Sequence, residues 1–180
     1  GNGVLYENVD APDTPWHESA QPSGIGPTTY NFANGFSGTT EMNGGTLGLA
    51  NDGSLGTSVG QANEASTIIY GGHNGSTTGV TIDNAIVLGT DVPLTLQTNK
   101  DVTSTQTGAI SGDGSIIKTG TGDLIFDGDQ KIYTGETIVE AGRLIAGHAN
   151  VFSPFATQNI RPGATLDLNG TDQTVGSLIN

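Results

Sequence analysis

Cysteine is absent from the 180 residues, and methionine and tryptophan occur once each. The absence of cysteine excludes a disulfide framework and thiolate metal sites. No apolar run approaches the roughly 20 residues that a helix needs to cross a bilayer. Helical periodicity is also missing, because apolar side chains do not recur at i, i+3, i+4 and i+7 without an intervening glycine or proline. We therefore expect an all-β chain with no direct membrane insertion by this segment.

Basic residues are scarce and confined to the second half of the chain. Lys and Arg number 5 against 18 Asp and Glu, which gives a formal net charge of −13. A trypsin-like protease therefore finds no cleavage site in residues 1–99. The charge excludes nucleic acid as a partner, because the chain cannot replace the counterions around phosphates. It also disfavours anionic membrane surfaces, which attract clustered Lys and Arg.

Glycine is abundant, at 29 residues, and it recurs with Asn and Asp after short β-prone runs. This pattern is typical of many short strands joined by tight turns. Alternation is clearest in residues 164–168, where Leu166 and Leu168 share one face and Thr165 and Asp167 share the other. The predicted strands are 46–50, 66–70, 80–88, 94–98, 108–111, 115–118, 123–127, 136–140, 143–146, 164–168 and 174–179.

Internal similarity distinguishes between sandwich, barrel and solenoid architectures. Residues 36–47 align without a gap on residues 133–144, so that the offset is 97 residues throughout. A constant offset is typical of repeat proteins, and this one fits four or five β-helix coils of about 20–24 residues. We predict a parallel β-helix of about eight coils. Residues 11–27 contain four prolines, which cannot donate to a sheet ladder, and are predicted to form an irregular loop or excursion.

Two stretches carry a recognisable motif. Residues 110–126 read ISGDGSIIKTGTGDLIF, and residues 133–147 read YTGETIVEAGRLIAG. The order G-x-G, apolar residue, Lys, x-G-x-G, apolar strand, Y-T-G, Thr, apolar strand, Gly, Leu closely resembles the passenger-associated repeat of bacterial autotransporters. Glu136 departs from the motif, because a second glycine usually follows Y-T-G. Residues 163–178 resemble the coils that commonly follow this repeat.

The resemblance implies a right-handed β-helix that is exposed at the surface of a Gram-negative bacterium or outside it, after secretion across the outer membrane. It also implies that the repeat assists export and folding. We expect the chain to be one piece of a longer passenger. The expected organisation is a single β-helix segment over 1–180, with the loop or excursion at 11–27, a degenerate repeat at 36–56, the passenger-associated repeat at 108–147 and C-terminal coils at 159–179.

Few residues could carry enzyme chemistry. Polysaccharide-cleaving β-helices place several Asp residues on one sheet face, and Asp123, Asp127 and Asp129, with Lys131 nearby, are the candidates. However, residues 127–130 connect two predicted strands, where Asp and Gly are ordinary turn residues. The chain has no Gly-x-Ser-x-Gly elbow and no cysteine nucleophile. We predict no catalytic residue, and hence no enzyme.

Metal and cofactor sites are not predicted either. Asp113, Asp127 and Asp129 could offer oxygen ligands to calcium, but the acids do not follow the spacing of an EF-hand loop. The three histidines, His17, His73 and His148, are dispersed in a way that does not indicate a zinc site.

Contact surfaces are predicted at one loop and at the two ends. Trp16 and His17 form a candidate contact loop, because Trp anchors interfaces disproportionately; alternatively, Trp16 packs onto the rod and pins the loop. A β-helix that stops presents unpaired backbone groups. The candidate inter-subunit edges carry no charge to blunt them and comprise Val4, Leu5, Tyr6, Thr174, Val175, Leu178 and Ile179.

Three functions are compatible with these features. The first is a non-enzymatic extracellular stalk or adhesive rod that contacts a host or matrix protein or a glycan. The second is a self-assembling extracellular fibre, in which the chain pairs with itself end to end through open edges. The third and least favoured is a carbohydrate-active β-helix enzyme.

Overall fold

The computed structural model describes residues 37–180, together with the backbone of three short strands that precede them: β1 (Gly3–Leu5), β2 (Glu18–Ala20) and β3 (Thr28–Tyr30). All regular elements in these described residues are strands, and none of them is a helix that could span a membrane. The all-β prediction is confirmed. Apart from β2, the predicted loop at 11–27 lies outside the described residues, as do Tyr6, Trp16 and His17.

Strands follow one another closely through the rest of the chain. They are β4 (Thr39–Leu49), β5 (Val59–Tyr70), β6 (Thr81–Ile82), β7 (Ile86–Leu88), β8 (Pro93–Thr98), β9 (Thr103–Gln106), β10 (Ile110–Gly112), β11 (Ser115–Thr119), β12 (Asp123–Phe126), β13 (Thr137–Val139), β14 (Arg143–Ala146), β15 (Thr157–Ile160), β16 (Thr165–Asp167) and β17 (Ser177–Ile179).

From β3 onward these strands pair in parallel and form two sheets. In the larger sheet the order is β10-β7-β5-β8-β11-β13-β15-β17, and β4 joins β3 to β5; in the smaller sheet it is β16-β14-β12-β9-β6. The larger sheet divides at β5, whose first half pairs with β7 and whose second half pairs with β8. Strands β1 and β2 form a separate antiparallel pair. In the described residues the parallel strands stack as a β-solenoid of about seven turns, which confirms the predicted architecture.

Residues that pair across neighbouring strands are one coil apart in sequence. Ile116 pairs with Thr137, 21 residues further on, within the predicted coil length. Ser66, however, pairs with Leu94, 28 residues further on. The earlier coil is longer because residues 71–80 form a turn and an irregular segment between β5 and β6. The coil before it has the ordinary length, because Leu47 pairs with Ile68, 21 residues further on.

The core is a set of inward-facing rows in which side chains of successive coils lie above one another. Alternate residues of each strand point inward, as the pleat requires. One row of the larger sheet contains Ile68, Leu96, Lys118, Val139 and Ile160. A second contains Ser66, Leu94, Ile116, Thr137, Gln158 and Leu178. The interior therefore combines aliphatic side chains with buried polar ones, and the polar ones need hydrogen-bond partners.

Buried amide side chains join the corners of successive coils. Asn84 donates through Nδ2 to the carbonyl oxygen of Ser58 at 2.8 Å, and Gln106 donates through Nε2 to that of Asn84 at 2.9 Å. At another corner, Asn99 donates to the carbonyl oxygen of His73 at 2.8 Å. Each bond links a coil to the preceding one, so these amides provide donors for carbonyl groups outside the sheet ladders.

Glycines of the recognised motif lie where the backbones of two coils come closest. A Cβ on Gly122 would overlap the carbonyl oxygen of Asn99 in the coil beneath, and one on Gly142 would overlap that of Gly122. Gly142 also has a φ of 68°, in the left-handed region that favours glycine. The glycines are therefore required by the spacing of the coils.

The two segments that resemble each other at an offset of 97 residues lie on different sides of the coil. Leu47 pairs with Ile68 in the larger sheet, in the inward row that continues to Val139. Its counterpart Leu144 lies in the smaller sheet, between Leu124 and Leu166. The degenerate repeat at 36–56 stays a prediction from the sequence.

The substitution Gly122→Ala tests the close approach of the coils. It should lower the free energy of unfolding by about 2–4 kcal/mol, because the added methyl group forces two backbones apart. Gly38→Ala is the matched control, since in the described part of the chain no atom beyond its sequence neighbours lies within 4 Å of the Cβ position at Gly38. It should change stability by less than about 0.5 kcal/mol. Urea unfolding measures both. Equal stabilities of the two variants would contradict the packing account.

Candidate functional site

Asp123, the first of the candidate acids, is held by an arginine on the outer face of the smaller sheet. Arg143 lies beside it in the next coil and donates through Nε to Asp123 Oδ1 at 2.9 Å and through Nη2 to Oδ2 at 2.6 Å. Arg143 Nη1 also contacts Asp167 Oδ2 at 3.3 Å. These hydrogen bonds hold the pKa of Asp123 below its ordinary value. Asp123 is therefore an ionised surface partner of Arg143 and is poorly suited to donate a proton.

Lys131 lies inside the solenoid, although the sequence pattern places it in a loop. Its side chain is fully buried, and Nζ donates to the carbonyl oxygens of Asp127 at 2.8 Å and Asp129 at 2.6 Å. A longer contact of 3.4 Å reaches the carbonyl oxygen of Thr107 in the preceding coil. Nζ also lies 5.6 Å from the centre of the Phe126 ring, within range of a cation–π interaction. The turn after β12 thus wraps around the ammonium group of Lys131.

Lys118 holds the turn before β12 in the same way, through hydrogen bonds from its ammonium group to backbone carbonyls. It is fully buried in the inward row between Leu96 and Val139, and Nζ lies within hydrogen-bond distance of four carbonyl oxygens. Three belong to the residues that follow it, and the fourth, that of Ala141, belongs to the next coil at 3.2 Å. The three are those of Thr119, the last residue of β11, at 2.9 Å, Gly120 at 2.9 Å and Gly122 at 3.0 Å.

The two ammonium groups therefore hold both turns that flank β12. Removing a charged amine from water is costly unless polar groups replace the hydration shell, and here the backbone carbonyl dipoles do so. Burial nevertheless disfavours the charged form and lowers the pKa of Lys118 and of Lys131 to about 8. Asp123 opposes this effect at Lys118, and Asp129 and Asp127 oppose it at Lys131.

His148 lies on the surface beside the Lys131 turn. Its Nε2 atom is 2.7 Å from the carbonyl oxygen of Gly128 and 3.8 Å from Asp127 Oδ1. The Gly128 carbonyl, followed by that of Ala149, raises the pKa of His148 above its ordinary value. The arrangement braces a corner from outside, as Lys131 does from inside.

Oxygen ligands for a metal are not gathered in the part of the chain that the structure describes. No group of three or more His, Asp or Glu side chains there could hold a metal ion. Asp113, a candidate calcium ligand, accepts a hydrogen bond from Thr134 Oγ1 at 3.1 Å in the next coil. Asp127 and Asp129 flank Gly128 in the turn around Lys131.

The outer faces present rows of small polar and aliphatic side chains. On the larger sheet one partly exposed row, here called the threonine row, contains Thr46, Thr67, Thr95, Ile117, Ile138 and Asn159. On the smaller sheet the corresponding row contains Thr81, Thr105, Ile125, Ile145 and Asp167. Neighbouring members are separated by one coil spacing of about 4.8 Å, which gives flat, regularly spaced surfaces.

The predicted edge residues differ in their surroundings. Leu178 occupies an inward row but is 63% exposed, Ile179 is 50% exposed, and Thr174 is exposed beside them. Val175 is partly buried against the core. The predicted residues Val4 and Leu5 belong to β1, which pairs with β2 outside the parallel sheets. The inter-subunit role of these residues and of Tyr6, and the contact role of Trp16 and His17, stay predictions.

Sequence reasoning missed the inward direction of both lysines. The signal was present at Lys118, because alternation from Ile116 places it on the same face as that residue. No comparable signal existed at Lys131, which lies outside any strand.

Replacing either buried lysine by methionine should destabilise the solenoid. Lys118→Met and Lys131→Met keep a side chain of similar length but leave carbonyl groups without a hydrogen-bond donor. Each should therefore lower the free energy of unfolding by about 1–3 kcal/mol. Lys100→Met is the control, because the Lys100 side chain is 80% exposed. Urea unfolding near neutral pH provides the measurement. Equal stability of all three variants would contradict a structural role for the ammonium groups.

The same two lysines should give the stability a distinctive pH dependence. Their pKa values lie near 8 in the folded chain and near 10.5 when unperturbed. Between these values the unfolded chain keeps protons that the folded chain has released, so the free energy of unfolding should rise with pH through this window. Each methionine variant should rise less steeply than the unsubstituted chain when urea unfolding is repeated across the window. Identical slopes would mean that the carbonyl groups solvate the ammonium as well as water does.

Comparisons with known proteins give one informative relative. The chain is 35% identical over 111 residues, or 62% of its length, to the adhesin BmaC autotransporter of Brucella suis biovar 1. The match spans 3% of the length of that relative. No protein-family model and no solved structure matches the chain. The chain is thus a β-solenoid with an autotransporter adhesin as its homologue, and the predicted resemblance to an autotransporter passenger is confirmed.

Proposed function

We propose that the chain is a segment of a non-enzymatic adhesive rod, displayed on the surface of a Gram-negative bacterium after secretion across the outer membrane. The observation that carries this proposal is the 111-residue similarity to an autotransporter adhesin, in a chain that folds as a β-solenoid. A solenoid exposes long, regular lateral faces, and such faces suit contact with extended partners.

The engagement of one candidate acid, Asp123, and of the candidate base, Lys131, supports a non-enzymatic role. Asp123 is paired with Arg143, and Lys131 is buried with its ammonium group directed at backbone carbonyls. Neither group is available to transfer a proton to a sugar in this arrangement. The charged groups that an enzyme would use for catalysis form contacts here that hold the coils together.

The threonine row is the surface that we assign to adhesion. Thr67 and Thr95 are partly exposed, and each hydroxyl can both donate and accept a hydrogen bond. Ile117 and Ile138 continue the row and add apolar contact area. A face with evenly spaced hydroxyl and methyl groups suits a host or matrix protein or a glycan, which are the partners that we propose.

End-to-end assembly into a fibre is a second candidate function, favoured by one observation. Leu178 and Leu168 are 63% and 44% exposed. Exposed apolar side chains of this kind can contact a second chain. The other end of the described solenoid differs, because Met42 and Leu49 are buried there.

Beads that carry the immobilised chain should adhere to epithelial cells or to matrix proteins, and a pair of substitutions in the threonine row should weaken adhesion. Thr67→Arg with Thr95→Arg places two bulky charges on the row, so binding should fall about tenfold, equivalent to about 1.4 kcal/mol. Bead counts per cell in flow measure the effect.

Thr81→Arg with Thr105→Arg, on the smaller sheet, is the matched control and should leave adhesion unchanged. Val175→Pro removes a backbone donor near the C-terminal edge. Adhesion that survives in Val175→Pro supports an adhesive rod without end-to-end assembly. Unsubstituted beads that bind neither cells, matrix proteins nor glycans would refute the proposal.

A further inference from the structure

Only five residues in the chain could direct a trypsin-class protease, and all five lie in the described part of the structure. They are Lys100, Lys118, Lys131, Arg143 and Arg161. Such a protease must place the basic side chain in a specificity pocket and the adjoining backbone in its active site. The accessibility of these five positions therefore decides where the folded chain can be cut.

Two of the five are out of reach inside the solenoid. Lys118 and Lys131 are fully buried, and their ammonium groups are bonded to backbone carbonyls of two successive coils. A protease could use them only after these coils separate, so cleavage there requires unfolding.

Two more are protected by their local structure. Arg143 lies in β14, which is paired on both sides with β12 and β16, and its guanidinium group is held by Asp123. Arg161 is exposed, but the next residue is Pro162, whose ring and missing N–H make the bond between them a poor substrate.

Lys100 differs from the other four in each of these respects. It lies in the turn between β8 and β9, and its side chain is 80% exposed. Among the described residues, its Nζ contacts only the equally exposed Asp101, at 3.0 Å. Asn99 and Val102 on either side are buried, so Lys100 and Asp101 are the exposed residues of this turn. Asp101 has a φ of 59°, the left-handed conformation that Asp adopts in tight turns.

We propose that the Lys100–Asp101 bond is the single point at which trypsin-class proteases cut the folded solenoid, and that the nicked chain remains one assembled rod. In the reaction, water adds to the Lys100 carbonyl carbon and the C–N bond to Asp101 breaks, leaving a carboxylate on Lys100 and an amine on Asp101. The rod otherwise resists this protease class. Such resistance would prolong the life of a chain that is displayed outside the cell.

Strand pairing across the cut explains why the halves stay together. Strand β8 precedes the cut and pairs with β11 after it, over Leu94 and Ile116 among others. Strands β6 and β7 likewise precede it and pair with β9 and β10. Three parallel ladders and the shared core therefore cross the nick.

Limited trypsin digestion of the folded chain tests the proposal. Denaturing electrophoresis with intact-mass measurement should give two first products, residues 1–100 and 101–180, which co-elute in native size-exclusion chromatography. Lys100→Gln should slow the first cleavage by about tenfold or more, because cutting then depends on rare opening of the coils. Arg161→Gln is the matched control and should be cut at Lys100 at the unsubstituted rate.

Digestion in urea should add cuts after Lys118, Lys131 and Arg143, since only the fold protects them. A first cut at any of these three residues in the folded chain would overturn the proposal. So would equal digestion rates for Lys100→Gln and the unsubstituted chain, resistance of Lys100 itself, or separation of the two fragments without denaturant. The assay measures peptide-bond cleavage, so its outcome is independent of the adhesive role.

Discussion

The carbonyl groups at the corners of the coils impose the constraint on which the rest of this structure depends. Within the strands, parallel ladders pair the backbone of each coil with its neighbours, but at the corners the ladder stops while the coils remain in close contact. Buried carbonyl groups there need donors. Lys118, Lys131, Asn84, Asn99 and Gln106 provide them from inside the solenoid. Glycine at positions such as 122 lets the backbones approach closely enough for these bonds to form.

This constraint explains which strands could be predicted from the sequence. Alternating aliphatic residues identified β8, β11, β12 and β14, whose inward positions are mostly Leu, Ile and Phe. Strands β9 and β15 were missed because their buried residues are Ser104, Gln106 and Gln158. A pattern of alternating hydrophobic residues does not reveal a strand whose inward-facing side chains are polar. A solenoid tolerates such strands because each buried amide can form a hydrogen bond with the coil above or below.

The candidate site shows the same division between what the sequence reveals and what it conceals. Turn chemistry was sufficient to interpret Asp127 and Asp129 as turn residues, and the structure places them in the turn around Lys131. The motif identified Lys118 as a diagnostic position without indicating its role. That role depends on carbonyl groups contributed by two coils, Gly122 and Ala141 for example, which are distant in sequence and come together only in the fold.

The coil length has a mechanical consequence. From Ile116 to its partner Thr137 the chain uses 21 residues to advance by one coil, which is about 4.8 Å along the axis. The same number of residues in an extended chain would reach roughly 70 Å. A solenoid therefore gains little axial length per residue. It provides instead a stiff rod with a large lateral surface. A rod of this type can be lengthened by whole coils, each of which needs to match only the two coils that it touches.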